Sequence, residues 1–416
     1  MRSSPIWLIL AGIMLLLDIY VFQILKFVTQ SALPKTKTII NSTYWFITIT
    51  ALILLFILPY LNLDNLHKGV RSTIFAIVIG LFLTQLIASV FFLIDDIRRG
   101  IQWIVGKLFF SNTEGESIQS GVSISRSMFL SWLGLGIGGG LYTSLMYGFT
   151  NKYNYNVKKV KLSFDNLPAA FKGLKVVQIS DIHSGSFSDK KAVLRGVKKI
   201  QSLHPDLILF TGDLVNNEAT EMADYMDVFD KLSAPLGVYS VFGNHDYGDY
   251  AHWPTPQAKV DNLENLKKVH ASLGWRLLLD EHVPIEKDGQ QFGLIGIQNW
   301  SALKRFPKYG NLPKAYEGAE KYPFKILMSH DPTHWDAEVR PRFADIDLTL
   351  AGHTHGMQFG VELPGFRWSP VEYVYRQWAG LYEEGKQKLY VNRGYGFIGY
   401  PGRVGILPEI TLFELS

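Results

Sequence analysis

The chain has 416 residues, 47% of them apolar, a formal net charge of +4 and no cysteine. Its length exceeds the usual single domain and makes two units the starting expectation. The lack of thiols excludes disulfides, thiolate metal sites and cysteine nucleophiles, and so small a positive charge is no nucleic-acid footprint. The apolar residues are unevenly spread: residues 1–154 read as a lipid-soluble region and residues 155–416 as a mixed globular domain.

Four stretches are long and apolar enough to cross a bilayer as helices, which takes roughly 20 residues each. They are Ile6–Val28, Tyr44–Leu63, Ser72–Ile94 and Met128–Phe149, and the last three hold no charged residue. Arg2 before the first and Ser31-Ala32 after it have the outline of a signal peptide, but its length and the three further spans favour retention. Asp18 sits mid-span, where a carboxylate is a functional candidate by default; the alternative is an Asp facing the bundle and paired with a Tyr or Gln. Gly134, Gly136, Gly138, Gly139 and Gly140 crowd the fourth span, as close helix packing requires. Arg98–Phe110 mixes cations with Trp103, Leu108 and Phe109, which predicts a short helix at the membrane surface. Neither side of the membrane carries an excess of Lys and Arg. Arg2, Lys68, Arg71, Lys152, Lys158, Lys159 and Lys161 balance Lys26, Lys35, Lys37, Arg98, Arg99, Lys107 and Arg126, so the side of the large domain stays open.

From Tyr155 onward, short apolar runs alternate with helical segments. Leu174–Ile179, Leu207–Phe210, Val238–Phe242, Phe324–Met328 and Leu348–Leu350 read as strands buried on both faces. Asp189–Leu203, Ala219–Leu232 and Asn262–Leu273 read as helices. Trp275–Leu279, Val283–Ile285 and Phe292–Ile297 add strands, with Asp288-Gly289 as a hairpin turn. Leu389–Val391 and Glu409–Leu415 are expected to close a second sheet. The fold class expected is α/β, a mainly parallel sheet packed on a second sheet with helices outside, and ligands gather beyond the carboxyl ends of such strands.

Five motifs occupy that location: Asp181-Ile182-His183, Gly212-Asp213, Gly243-Asn244-His245-Asp246, His330-Asp331 and Gly352-His353-Thr354-His355-Gly356. Imidazole and carboxylate ligands suit zinc, manganese or iron. Asp181 and His183 alternate in a segment read as extended, so both can point one way, and Thr354 spaces His353 and His355 similarly. Asp213 has two oxygens with which to bridge two ions, Asn244 offers an amide oxygen, and His330, His353 and His355 complete a set suited to two divalent ions. Manganese is the metal expected, with zinc and iron as alternatives. Asp331 reads either as support for His330 or as a turn residue before Pro332. His204, His252, His270, His282 and His334 match no motif and read as structural.

The five motifs, in this order, resemble the calcineurin-like metallophosphoesterase superfamily over about residues 156–416. The resemblance implies a double β-sandwich flanked by helices (α/β/β/α). It implies Asp181, His183 and His355 on one ion, Asn244, His330 and His353 on the other, and Asp213 between them. It also implies catalytic roles for His245, as proton donor or charge stabiliser, and for Asp246, as the group that orients it. Leu389–Gly394, followed by Pro401, Arg403 and Pro408-Glu409, looks like the branch of bacterial membrane-associated phosphodiesterases related to YkuE and YaeI. Some members of that or neighbouring branches act on UDP-diacylglucosamine or other lipid-linked phosphates.

The reading that follows is an integral membrane protein of the bacterial inner membrane whose partners are the bilayer and a lipid-linked phosphate. It would cleave a phosphoester or pyrophosphate bond. An anchored phosphodiesterase for soluble phosphoesters or nucleotides is the alternative, and a scaffold with a vestigial site is the third reading. A nuclease would need a basic surface or a stacking platform that the sequence does not display, and the sequence identifies no protein partner. Trp300–Tyr309 and Pro364–Trp378 combine aromatic and basic residues that could meet lipid headgroups, or could be ordinary loops packed on the sandwich. Arg393 and Arg403 could pair with phosphate bidentately or serve as structural ion pairs.

Overall fold

A computed structural model describes residues 5–57, 68–109 and 126–416. Arg2, Phe110 and residues 58–63 of the second expected span lie outside the described residues, as do the side chains of Lys68, Arg71 and Arg126. The chain divides into two compact units, Met1–Tyr147 and Gly148–Ser416.

Four long helices, α1 (Pro5–Val28), α2 (Pro34–Ile57), α3 (Lys68–Phe109) and α4 (Arg126–Asn151), are each apolar and long enough to cross a membrane. Within the first unit Asp18 is fully buried, takes the Gln85 Nε2 donor at 2.5 Å, and has its backbone carbonyl bonded by Tyr44 OH at 2.8 Å. It is a bundle-facing acid, as the second reading of it held. Gly134 and Gly138 are the packing glycines. A Cβ at Gly134 would lie 2.7 Å from the Phe92 ring, and one at Gly138 would lie 3.2 Å from the Thr84 carbonyl. Gly136, Gly139 and Gly140 have nothing within 4 Å. The expected surface helix is no separate element, because α3 runs unbroken through Arg98 to Phe109. Its charges are satisfied along the helix, Arg98 and Arg99 pairing with Asp95 and Asp96 at i,i+3 and i,i+4, so nothing there breaks the helical turn.

The second unit holds the strands β1 (Asn156–Leu162), β2 (Lys175–Ile179), β3 (Leu207–Phe210), β4 (Val238–Ser240), β5 (Arg276–Leu277), β6 (Glu281–Lys287) and β7 (Gln290–Gly296). After them come β8 (Lys325–Met328), β9 (Leu348–Ala351), β10 (Val361–Leu363), β11 (Phe366–Trp368), β12 (Gly380–Glu384), β13 (Gln387–Val391) and β14 (Glu409–Leu415). One six-stranded sheet has the order β1-β14-β2-β3-β4-β5 and the other β12-β13-β9-β8-β7-β6. The two sheets face each other through a core that includes Val176, Leu209, Leu294, Ile326, Leu350 and Phe413. Helices α5 (Lys190–Gln201), α6 (Met226–Phe229) and α7 (Pro256–Ser272) belong to the outer layer of the first sheet, where Val193, Phe229 and Leu266 join a second core. A third cluster around Leu327, Trp335 and Val391 covers the other side. This is the α/β/β/α sandwich. Its central strands β3, β8 and β9 are buried along their whole length, which is why they read as unbroken apolar runs.

Two expectations are corrected. β14 does not close the second sheet; it returns to the first, between β1 and β2, sending Phe413 and Leu415 into the inter-sheet core and Ile410 into the outer one. Ala219–Leu232 is not one helix but a 3₁₀ turn (Ala219–Met222) followed by the short α6. The Glu221 carboxylate folds back onto the N–H groups of Asn216, Asn217 and Glu218 at 2.6–3.1 Å, a local bond that competes with helix propagation.

Replacing Gly134 by Leu should destabilise the first unit by about 1–3 kcal/mol through overpacking, whereas Gly139→Leu should be close to neutral. Thermal unfolding of both variants in detergent reads the difference, and equal melting temperatures would contradict this assignment of the helix contact.

Candidate metal centre

The motifs follow the carboxyl ends of β2, β3 and β4 in one sheet and of β8 and β9 in the other, so the centre lies where the two sheets meet. Ladder bonding continues past the strand ends. Asp181 N–H donates to Gly212 O at 2.8 Å, His183 N–H to Asp213 O at 3.1 Å, and Gly352 N–H to His330 O at 2.9 Å. The backbone there is not extended. Asp181, His183, Asp213, His353 and His355 all have positive φ, between 49° and 72°, so each motif brings its pair of ligands together by left-handed steps, with Ile182 between them sent into the core.

Glycines make the close approach possible. A Cβ at Gly212 would lie 2.5 Å from Gly243 N, and one at Gly394 would lie 2.9 Å from His355 Nδ1. At Gly243 it would strike the Asp213 carboxylate, and at Gly352 the Asp181 carboxylate.

Two groups of donors converge. Asp181, His183 and His355 form one, and Asp213, His330 and His353 the other, with the ligand atoms of each group within 4.8 Å of one another. His183 Nε2 faces His355 Nε2 at 3.0 Å, and His330 Nε2 faces His353 Nδ1 at 3.3 Å. Asp213 Oδ2 lies 3.5 Å from His183 Nε2 and 3.1 Å from His330 Nε2, so one oxygen sits between the two groups. The Asn244 amide donates to Tyr250 OH at 2.9 Å while its Oδ1 is buried without a hydrogen-bond partner, a free acceptor.

The electrostatics suit cations. Burial pulls His183 down to about 3 and His353 to about 4, and holds His355 well below the usual range, leaving their lone pairs available. Burial works against a charge on His330 too, but the Asp213 carboxylate outweighs it and lifts His330 to about 10. Burial alone would raise Asp213; the imidazoles of His330, His245 and His183 instead hold it well below the carboxylate range. Burial pushes Asp181 up to about 6. The donor set therefore fits two divalent ions, which when bound would supply a water of lowered pKa and a positive clamp on phosphate oxygens.

The outer layer fixes several of these side chains. His330 Nδ1–H donates to Thr211 O at 2.7 Å. His353 Nε2 meets Tyr375 OH at 2.8 Å and Asp331 Oδ2 at 3.5 Å. Asp331 thus faces His353 as a charge neighbour without a hydrogen bond to it, and its other oxygen accepts the Thr333 N–H at 2.8 Å in the turn. His355 Nδ1 lies 3.2 Å from Arg403 Nη2.

His245 is half-buried beside His183, their ring centres 4.9 Å apart. Its Nδ1–H donates to Asn216 O at 2.8 Å, which leaves Nε2 as the open ring nitrogen. Asp246 does not orient this ring. Its fully buried carboxylate accepts the N–H groups of Gly243, Asp213 and Leu214 at 2.8 Å each and of Val215 at 3.3 Å; it clamps the loops that carry Asp213 and His245. Burial and the Asp213 carboxylate push its pKa up to about 7.

Arg393 and Arg403 are buried and already engaged, so neither is a phosphate clamp. Arg393 pairs with Glu409 and, at 2.9 Å, with Glu362. Arg403 donates to the carbonyls of His355, Arg393, Gly394 and Gly396, and burial pulls it down to about 9. Of the aromatic segments, Tyr375 and Trp378 are packed inside, while Phe366 and Tyr373 are exposed. Tyr250 and Tyr375 are the contacts that sequence reasoning missed as site residues. Nothing in the motifs marks the first, and the second is embedded in a stretch read as surface. His270 bonds Ser240 Oγ at 2.9 Å, His334 bonds Ser329 Oγ at 2.9 Å and His282 bonds Ala315 O at 3.0 Å, all structural as expected.

Two family models match the chain: a probable calcineurin-like phosphoesterase transmembrane domain over residues 1–152 and calcineurin-like phosphoesterase over residues 174–357. The metallophosphoesterase YkuE of Bacillus subtilis is 30% identical over 60% of this chain and 82% of its own length. A zebrafish transmembrane protein with metallophosphoesterase domain is 29% identical over 65% of this chain, which spans 60% of that relative's length. The UDP-2,3-diacylglucosamine pyrophosphatase LpxG of Chlamydia trachomatis is 26% identical over 61% of this chain and 88% of its own. The chain belongs to the calcineurin-like metallophosphoesterase family.

Asp213→Asn removes the charge from the oxygen shared by both groups. Its manganese affinity should fall by at least the roughly 10–100-fold that losing even an outer-layer partner costs. Elemental analysis of the loaded variant reads this; retention of both ions would refute the bridging position.

Proposed function

We propose that this calcineurin-like metallophosphoesterase is an integral enzyme of the bacterial inner membrane that hydrolyses a phosphoester or pyrophosphate bond in a lipid-linked substrate. In this reading Asp181, His183 and His355 hold one divalent ion and Asn244, His330 and His353 the other. Asp213 lies between them and manganese is the metal expected. The carrying observation is the shared Asp213 oxygen between two buried donor groups, with the free Nε2 of His245 beside them.

Two carboxylates against two divalent ions would leave two positive charges to meet a phosphate, a balance suited to an anionic substrate. His245 is held by its Nδ1 bond to Asn216 O. When protonated at Nε2 it can donate to a non-bridging oxygen as negative charge grows, or to the leaving alkoxide. Asp246 acts at one remove, through the backbone it clamps. The lipid-linked class draws support from the four apolar helices and from the activity named for the chlamydial relative. A water-soluble ester would need no such anchor.

His245→Ala should keep its metal and lose about 10²–10⁴-fold in turnover, the usual scale for general acid–base catalysis. Turnover equal to the parent's would remove that role. Substrate class is read by presenting membrane lipid extract to the manganese-loaded protein and identifying released phosphate or headgroup by mass spectrometry. The expected outcome is a product from a lipid fraction. Nucleotide diesters cleaved well with no lipid product would replace this reading with the soluble-substrate one.

A further inference from the structure

The hairpin β10–β11 is built inside out. Its strands pair Val361 with Trp368, Glu362 with Arg367 and Leu363 with Phe366, and residues directly opposite each other share a face. The face turned toward the domain is the charged one. Glu362 pairs with Lys158 at 3.0 Å and Arg393 at 2.9 Å, and Arg367 lies over the rings of Trp378 and Tyr382. The face turned away carries Val361, Leu363 and Phe366, with Trp368 half-buried at its root and Arg367 exposed where it leaves the Trp378 and Tyr382 rings; Leu363 is 60% exposed and Phe366 57%. Beyond the hairpin, Tyr373 is 76% exposed with Val374 beside it. A strand pair with one solvated face normally shows the opposite pattern, polar outward. The Pro364-Gly365 turn, with Gly365 at φ +77°, makes the tip a tight and preset projection.

Two further observations identify the occupant of this face. The last residues of α4 belong to the same unit as the hairpin. Gly148 O accepts the Arg403 N–H at 2.9 Å, and Phe149 packs on Tyr400 with ring centres 5.4 Å apart. That loop in turn bridges the hairpin's root, Val404 N–H donating to Gln358 O at 2.8 Å and Gly360 N–H to Val404 O at 2.9 Å. The exit of a membrane-crossing helix and the apolar hairpin are thus joined by one short run of backbone bonds. The four residues 152–155 between α4 and β1 span at most about 14 Å, so β1 is tethered close to the end of α4.

We propose that the outward apolar face of the β10–β11 hairpin, with Tyr373 and Val374, docks into the headgroup–acyl boundary of the bilayer that the four helices cross. Apolar residues rimmed by Tyr, Trp and Arg are the chemistry of that boundary. The hairpin is bolted to the metal centre: Ser369 Oγ donates to Gly356 O at 2.9 Å, Thr354 Oγ1 to Trp378 O at 2.7 Å, and Tyr375 OH meets His353. Docking it places the His353–His355 loop at headgroup level. The inference rests on the membrane anchor and not on the substrate class.

The chain has no cysteine, so single reporters can be placed in the full-length protein. Leu363→Cys and Phe366→Cys, each carrying a nitroxide, are compared with Lys386→Cys at the turn before β13, the end of that strand away from the metal centre. The proteins are reconstituted in vesicles of phosphatidylcholine and phosphatidylglycerol. Collision with a water-soluble nickel chelate should be about tenfold lower at 363 and 366 than at 386, and collision with oxygen higher, as for groups seated in the interface. Equal chelate access at all three positions would overturn the proposal. So would spin–spin broadening at 363 that disappears on dilution with unlabelled protein, which would assign the face to a second copy. Neither readout requires turnover, so protected labels with no lipid-linked phosphate cleaved would sink the substrate reading and uphold this one.

Discussion

Ring nitrogens that face each other across 3.0 and 3.3 Å set the terms for the catalytic unit. Such a pair needs a proton or a cation between its members; the Asp213 carboxylate favours a proton on His330, whereas burial disfavours a charge on His183, His353 and His355. Gathering four imidazoles and two carboxylates in a dry place costs free energy, which the His330–Asp213 pair offsets in part and bound positive charge would offset further. Metal binding and folding of this region are therefore linked. Much of the surrounding architecture resists the tendency of these groups to move apart.

That resistance is visible in the backbone. Five of the candidate ligand residues occupy the left-handed region, and residues held in sparsely populated φ/ψ regions cost of order 1–3 kcal/mol each; Asp and His sit at the cheaper end because they are enriched in that region. The strain persists because hydrogen bonds over-determine it. One carboxylate, Asp246, collects four backbone N–H groups from the loops after β3 and β4. Asp213 Oδ1 accepts the N–H of His245 at 2.8 Å. Glu221 gathers the loop at Asn216, whose carbonyl then holds the His245 ring. The chain of cause runs from a broken helix at Ala219 to the orientation of the candidate general acid.

This chain of support explains what could be read in advance and what could not. The convergence of six of the expected donors was legible, because each lies in a polar motif that follows a buried strand. The four spans were legible from length and lack of charge. The path of the ligands was not: Asp-x-His looks extended, and left-handed steps at both ends appear only once Gly212, Gly352 and Gly394 are seen pressed against neighbouring carboxylates and rings. Nor was the partner of Asp246, since nearness in sequence pointed to His245 while the carboxylate turns to backbone N–H groups. β14 was placed in the wrong sheet because an alternating run says that a strand exists, not which edge it joins. Arg393 and Arg403 fell to the same limit. A cation in such a stretch can meet a phosphate or a structural partner, and only the fold supplies Glu409 and Glu362 to Arg393 and backbone carbonyls to Arg403.

Arg393 also connects the centre to the β10–β11 hairpin. It is buried between Glu409 of β14 and Glu362 of β10. A one-residue slip of β10 would turn Val361 and Leu363 inward and expel Glu362, the arrangement a water-facing hairpin would adopt. That slip would strip a buried guanidinium of one of its two carboxylates and Lys158 of its partner, leaving Arg393 to Glu409 alone. The exposed apolar face is therefore enforced from within by the ion pairs behind it. Those ion pairs reach β14 and the loop bonded through Arg403 to His355, so the structure that steadies the ligands also fixes which face of the hairpin meets the outside.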